Sequence, residues 1–300
     1  MKILLLGKNG QIGWELQRAL APLGEVLACG RDHADFEKPE ALRALVREAA
    51  PDVLVNAAAY TAVDQAESEP ERAMQVNAAA VAVLAGEMKR RNGWLVHYST
   101  DYVFDGGKAG YYTESDWPAP QSAYGRSKLA GENVIVDSGC LHLIFRTSWV
   151  YAARGGNFAR TMLRLAQERD EIKVVADQIG APTGAELIAD ISALVLHRVL
   201  SGDRQPSHAG IYHLAAAGET SWYAYAALVL AEAHRLGAKL RVHGDRLIAI
   251  PAEQYQTAAR RPANSRLDTA KLCDNFQLRM PSWEAGVKRV FAEWHQTGQL

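Results

Sequence analysis

The chain has 300 residues, 48% of them hydrophobic, enough to bury a large core as one domain or two closely joined ones. Lys and Arg number 33 against 34 Asp and Glu, and the net charge of −1 excludes the strongly basic balance of a nucleic-acid binder. Cys29, Cys140 and Cys273 are scattered with no CxxC pair, which excludes a disulfide framework, and no apolar run nears the roughly 18 residues of a membrane span.

Only Met1 and Lys2 precede the first apolar run, so no signal peptide is expected and the expected compartment is the cytosol. Lys2–Leu6, closed by Gly7, predicts a buried parallel strand. Ile12–Ala21 has helical periodicity, Val26–Cys29 predicts the second strand, and Pro39 suits the first position of a helix running through Ala50. A third strand is expected at Val53–Asn56, a long helix at Glu71–Arg91 and a fourth strand at Leu95–Ser99. A helix at Tyr124–Val136 and a fifth strand at Leu141–Thr147 follow. This alternation implies right-handed crossovers and an α/β, Rossmann-type, doubly wound parallel sheet.

Beyond residue 150 the pattern loosens. Helices are expected at Phe158–Arg169, Glu186–Leu200, Ser221–Leu236 and Trp283–Trp294, with a strand at Ile211–Leu214. Gly180–Gly184 and Ile250–Pro262 read as punctuated connections. The expected organisation is a dinucleotide-binding domain over residues 1–150, joined by later elements around 157–176 and 211–236. A smaller, partly interleaved substrate lobe would comprise 177–210 and 237–300.

Gly7-Lys8-Asn9-Gly10-Gln11-Ile12-Gly13 lies between the first strand and the first helix. Glycines there let the backbone turn tightly and approach a pyrophosphate, which the helix N-terminus stabilises. The second strand ends at Cys29-Gly30-Arg31-Asp32. Gly30 offers no carboxylate to a ribose, and Arg31 suits a 2′-phosphate, which predicts NADPH over NADH. In the alternative, Arg31 is a surface charge and Asp32 serves NAD. Asn56-Ala57-Ala58-Ala59 leaves the third strand with small side chains, which make room for a ligand or for close packing.

Ser99-Thr100-Asp101 ends the fourth strand, and Tyr124-Gly125-Arg126-Ser127-Lys128 opens the next helix. Tyr124 and Lys128, four apart, share a helix face. An ammonium nearby is expected to lower the tyrosine pKa and make it a proton donor for an alkoxide formed by hydride delivery, with Thr100 polarising the same carbonyl. The histidines, His97 among them, show no ligand spacing and read as structural or surface residues.

At these residues the chain resembles the extended short-chain dehydrogenase/reductases. More narrowly, it is similar to those that complete dTDP-L-rhamnose synthesis by reducing dTDP-4-dehydro-L-rhamnose at C4. The likeness runs from Gly7–Leu16 through Asn56–Asp64, Ser99–Phe104, Phe145–Tyr151 and Ala181–Gly184 to Arg260–Ser265. It implies Tyr124 as proton donor, Lys128 on the nicotinamide ribose and the tyrosine, and Thr100 tuning that tyrosine. It implies cofactor contacts at Gly10, Gln11, Ile12, Asp35, Phe36, Ala59, Tyr60 and Thr61. Thr100, Asp101 and Trp149 would hold the sugar, and Arg261 would clamp the diphosphate. Some members dimerise through Mg²⁺ held by glutamates matching Glu15 and Glu186. Two other readings fit the same pair of residues. One is a sister ketoreductase or epimerase; the other is a non-catalytic regulatory subunit that senses dinucleotide.

Overall fold

A computed structural model describes residues 1–201 and 208–300. Strands β1 (Lys2–Leu6), β2 (Glu25–Cys29), β3 (Val53–Asn56), β4 (Trp94–Thr100) and β5 (Leu141–Thr147) alternate with helices. These are α1 (Gln11–Leu20), α2 (Pro39–Ala49), α3 (Pro70–Met74), α4 (Ala80–Arg91) and α5 (Ala123–Ser138). Then come β6 (Val150–Tyr151), α6 (Phe158–Glu168), β7 (Ile172–Val175), β8 (Ile179–Gly180) and β9 (Thr183–Gly184). The chain continues through α7 (Ala185–Ser201), β10 (Gly210–His213), β11 (Thr220–Ser221), α8 (Trp222–Arg235) and β12 (Leu247–Ile250). It closes with α9 (Ala270–Phe276) and α10 (Trp283–Gln296). Among the described residues no helix is long and apolar enough to cross a membrane.

Six strands form one sheet in the order β10-β5-β4-β3-β1-β2, every neighbouring pair parallel. Side chains alternate between its faces, so each strand feeds two cores. Ile3, Leu5, Val53, Val55, Val96 and Phe145 enter one core; Leu4, Leu6, Leu54, Leu95 and Ile144 enter the other. Burial on both faces explains why these strands read as unbroken apolar runs. The chain reverses direction across the sheet between β1 and β3, which opens a crevice at the strand carboxyl ends.

The layers differ from the expected division after residue 150. Helix α7, expected in the substrate lobe, lies along α1 and covers one sheet face with Ile188, Ala189 and Val195. Leu272 and Phe276 of α9 join the same core. Helices α6 and α8 and strand β7, expected with the sheet, instead build a second core with β12 and α10 around Met162, Leu163, Val229, Phe291 and Trp294. An amphipathic stripe shows that a helix has a buried face but not which core receives it. Residues 202–207 of the expected 177–210 segment lie outside the described residues. The expected helix at Glu71–Arg91 begins as α3 and ends as α4, but Gln75–Ala79 between them is a π-helical turn.

Candidate active site

The turn after β1 can be made only with glycine. Gly7 has φ +87°, and a Cβ on Gly13 would lie 2.0 Å from the Gly7 carbonyl oxygen. Helix α1 therefore starts in direct contact with the turn, and its N-cap, Gly10, offers no side-chain cap to the first N–H groups. Those donors face an open cleft of about 690 Å³ at the carboxyl ends of the strands. Gly13→Ala is expected to weaken dinucleotide binding about five- to 150-fold, the affinity equivalent of the 1–3 kcal/mol of an overpacked contact. A fluorescence titration reads it, and unchanged affinity would remove the steric argument.

The cleft gathers most residues singled out from the sequence. Gly7, Gly10, Gln11 and Ile12 line it from the first turn, Gly30, Arg31, Asp35 and Phe36 from the end of β2, and Ala57, Ala58, Ala59, Tyr60 and Thr61 from beyond β3. Thr100, Asp101, Tyr124, Lys128 and Trp149 line the same space. Asp32 is not in this wall; it turns outward to pair with His33. Arg31 reaches Glu37 at 3.2 Å, and Glu37 also accepts from Arg72 at 2.8 Å. Arg72 lines the cleft too, a second cation on this rim that no sequence motif marked.

Helix α5 is capped by Ser122, whose Oγ accepts from the Gly125 N–H at 3.1 Å. Its first turn carries Tyr124 and its second Lys128, both buried. Thr100 stands opposite, donating to Asp101 Oδ1 at 3.0 Å. Burial pushes the Tyr124 phenol well above its ordinary range, and the Thr100 hydroxyl only partly offsets this. The expected lowering of this tyrosine by an ammonium is not what the structure shows. The Lys128 ammonium donates to the Tyr98 carbonyl at 2.6 Å and lies 3.2 Å from His97 Nε2, so its hydrogen bonds go into the sheet. Burial lowers Lys128 to about 8, with the Glu132 carboxylate opposing. His97, read as merely structural, thus touches the proposed catalytic lysine; Asn56 holds its other ring nitrogen at 3.1 Å. Burial also raises Asp101 to about 6, opposed by the Ser265 and Thr100 hydroxyls, and Asp101 Oδ2 has no hydrogen-bond partner among the described residues.

The π-helical turn supplies a support that periodicity could not reveal. It aims Asn77 at Tyr60, accepting from its N–H at 2.8 Å and donating to its carbonyl at 3.0 Å. The same amide donates to Ser127 Oγ at 2.9 Å, which ties the loop after β3 to the helix bearing Tyr124.

Two expected elements fall outside this arrangement. Arg261 is not in the cleft wall and pairs with Asp64 at 2.8 Å. Glu186 is engaged by Arg289, and Glu15 lies 3.8 Å from Arg18. Among the described residues no group of three or more His, Cys, Asp or Glu could hold a metal ion. Glu186 is thus held by an arginine, while Glu15 makes only a longer contact with one; the expected magnesium would bridge two chains and is not a site that a single chain builds. The glycine turn and the uncapped start of α1 do fit a dinucleotide.

Residues 1–296 match the family described as the RmlD substrate binding domain. The dTDP-4-dehydrorhamnose reductase of Escherichia coli (strain K12) is 52% identical over 305 residues, covering 99% of each chain. That of Burkholderia thailandensis is 50% identical over 291 residues, covering 96% of this chain and 97% of the other. Among solved structures, a dTDP-4-dehydrorhamnose reductase from Bacillus anthracis in complex with NADP superposes with a TM-score of 0.86 at 35% identity, covering 97% of this chain and 99% of that one.

Proposed function

The chain belongs to the RmlD substrate binding domain family, and from that premise we infer that it is an NAD(P)H-dependent oxidoreductase of nucleotide sugars. It reduces the C4 keto group of dTDP-4-dehydro-β-L-rhamnose to give dTDP-β-L-rhamnose, the last step of dTDP-L-rhamnose biosynthesis. The observation that carries this reading is the buried Tyr124 beside Thr100 in the wall of the dinucleotide cleft. When bound there, a reduced nicotinamide supplies the hydride. Tyr124 keeps its proton at neutral pH because burial raises its pKa, so it can deliver that proton to O4 as negative charge develops. Thr100 offers a second hydroxyl to the same oxygen. Lys128, an ammonium below about pH 8, lines the same cleft and would hold the cofactor ribose. Asp101 and Trp149 face the sugar from the end of β4 and beyond β5. Arg261 pairs with Asp64 through Nη2 alone, and its remaining donors suit it to clamp the diphosphate from outside the cleft wall.

For the cofactor we propose NADPH. Arg31, held by Glu37, and Arg72, shared between Glu37 and Glu69, both line this rim, and either guanidinium can turn to a 2′-phosphate placed there. The test mixes purified protein, dTDP-4-dehydro-L-rhamnose and either NADPH or NADH, follows nicotinamide absorbance and identifies the sugar by NMR. NADPH consumption with dTDP-L-rhamnose as product is expected, with higher kcat/KM for NADPH. The C4 epimer as product would overturn the assignment, and equal kcat/KM for both cofactors would overturn the role of the arginine rim.

A further inference from the structure

Trp149 stands two residues beyond β5 with φ +49°, a left-handed backbone that a bulky side chain adopts only against strain. Strain of this kind persists where the surroundings over-determine it. Here they do so from both sides of the indole. On one side Trp222 stacks on it, ring centroids 3.6 Å apart and planes 12° from parallel. On the other lies Gly180, where a Cβ would meet Trp149 Cε2, Cζ2 and Nε1 at 2.7, 2.9 and 3.0 Å. An in-plane approach to Cε2 would bring that carbon nearer to its two bonded neighbours than to Cε2 itself. The order of distances instead places the Gly180 backbone over a ring face. Trp222, stacked at 3.6 Å, leaves no room on its own face for that backbone, so Gly180 takes the opposite face and the indole has only its edge to present to the cleft it lines.

The local sequence explains how this clamp forms. Strand β8 pairs antiparallel with β11, Gly180 opposite Thr220. Ser221 then caps α8, its Oγ accepting from the Ala224 N–H at 3.1 Å. The first residue of that helix is therefore Trp222, delivered next to Gly180 by the strand pair. Phe158, the first residue of α6, packs against Trp222 with centroids 4.6 Å apart. The stack thus couples the second core to a residue at the end of the main sheet.

We propose that Gly180 and Trp222 are positioning residues for sugar recognition, holding Trp149 edge-on so that it reads the sugar by contour instead of stacking on it. The proposal rests on the nucleotide-sugar reading above. Calorimetry on the full chain loaded with NADP⁺ tests it, with dTDP-L-rhamnose and dTDP as probes. Trp222→Ala and Gly180→Ala are each expected to weaken dTDP-L-rhamnose binding about tenfold, the worth of a good aromatic contact. Trp222→Phe, which keeps an aromatic face, should bind like wild type, and dTDP affinity should stay unchanged in all three. Wild-type affinity for dTDP-L-rhamnose in both alanine variants would overturn the proposal. So would an equal loss for dTDP, which reports general damage. If the wild-type protein itself binds dTDP-L-rhamnose no better than dTDP, the nucleotide-sugar reading fails and the proposal with it.

Discussion

Tyr124→Phe is expected to lose about 10²–10⁴-fold in kcat, the usual worth of a positioned proton donor, with NADPH affinity unchanged. The substitution removes one oxygen and keeps the ring, which packs edge-on against Tyr102 with centroids 5.5 Å apart, so the cleft retains its shape. Burial keeps the phenol protonated throughout the neutral range, so its own titration should not limit the reaction there. The limit should come from Lys128. Its pKa in the folded protein is about 8, so kcat/KM, which reports the free enzyme, should fall as pH rises through that value and the ammonium is lost. Stopped-flow turnover and a cofactor titration on the same preparation separate chemistry from binding. Turnover at the wild-type rate would remove Tyr124 from the mechanism.

Arg146→Leu is expected to cost about 3–5 kcal/mol of stability, the largest loss foreseen for a single side chain. Arg146 on β5 is 2% exposed and meets Glu132 of α5, 1% exposed, through hydrogen bonds of 2.6 and 2.9 Å. Ser99, directly across the ladder on β4, donates to the same carboxylate. Removing the guanidinium strands a carboxylate in the interior, and that isolated charge, more than the lost attraction, accounts for the cost. Replacing both partners with leucine should recover much of the loss, since no charge is left unpaired. Urea denaturation of the single and double variants checks this, and a single variant as stable as wild type would refute it. Glu132 also favours the Lys128 ammonium from one turn further along α5. A Glu132→Gln enzyme that still folds should therefore lose activity at lower pH than wild type.

The sheet was legible in the sequence because its strands are buried on both faces and separated by helices of ordinary length. Lys2–Leu6, Val53–Asn56 and Leu141–Thr147 fall where the apolar runs place them. The second core was harder. Strands β7 and β12 pair in parallel although their sequences are about 75 residues apart, Leu247 opposite Ile172, and each is only four residues long. Neither carries a long enough alternation to declare itself, and the partner exists only in three dimensions. In the site, the glycine turn, Thr100, Tyr124 and Lys128 were legible because their spacing is local. The direction of the Lys128 side chain was not, since it depends on a strand carbonyl and on His97 from elsewhere in the chain. Asn77 did leave a trace: a short amide inside a run of alanines and valines is a poor helix former with a reason to be there.

The path of the chain between its two cores has a practical consequence. It leaves the sheet after β5, returns for α7 and β10, departs through β11, α8 and β12, comes back for α9, and ends in α10. Truncation near residue 150 would strip α1 of its cover and leave β5 as a naked sheet edge, inviting aggregation. Neither part can be produced or inherited as a free-standing module. The two cores are therefore expected to unfold in one transition, which urea denaturation followed by fluorescence and circular dichroism would show as coincident curves.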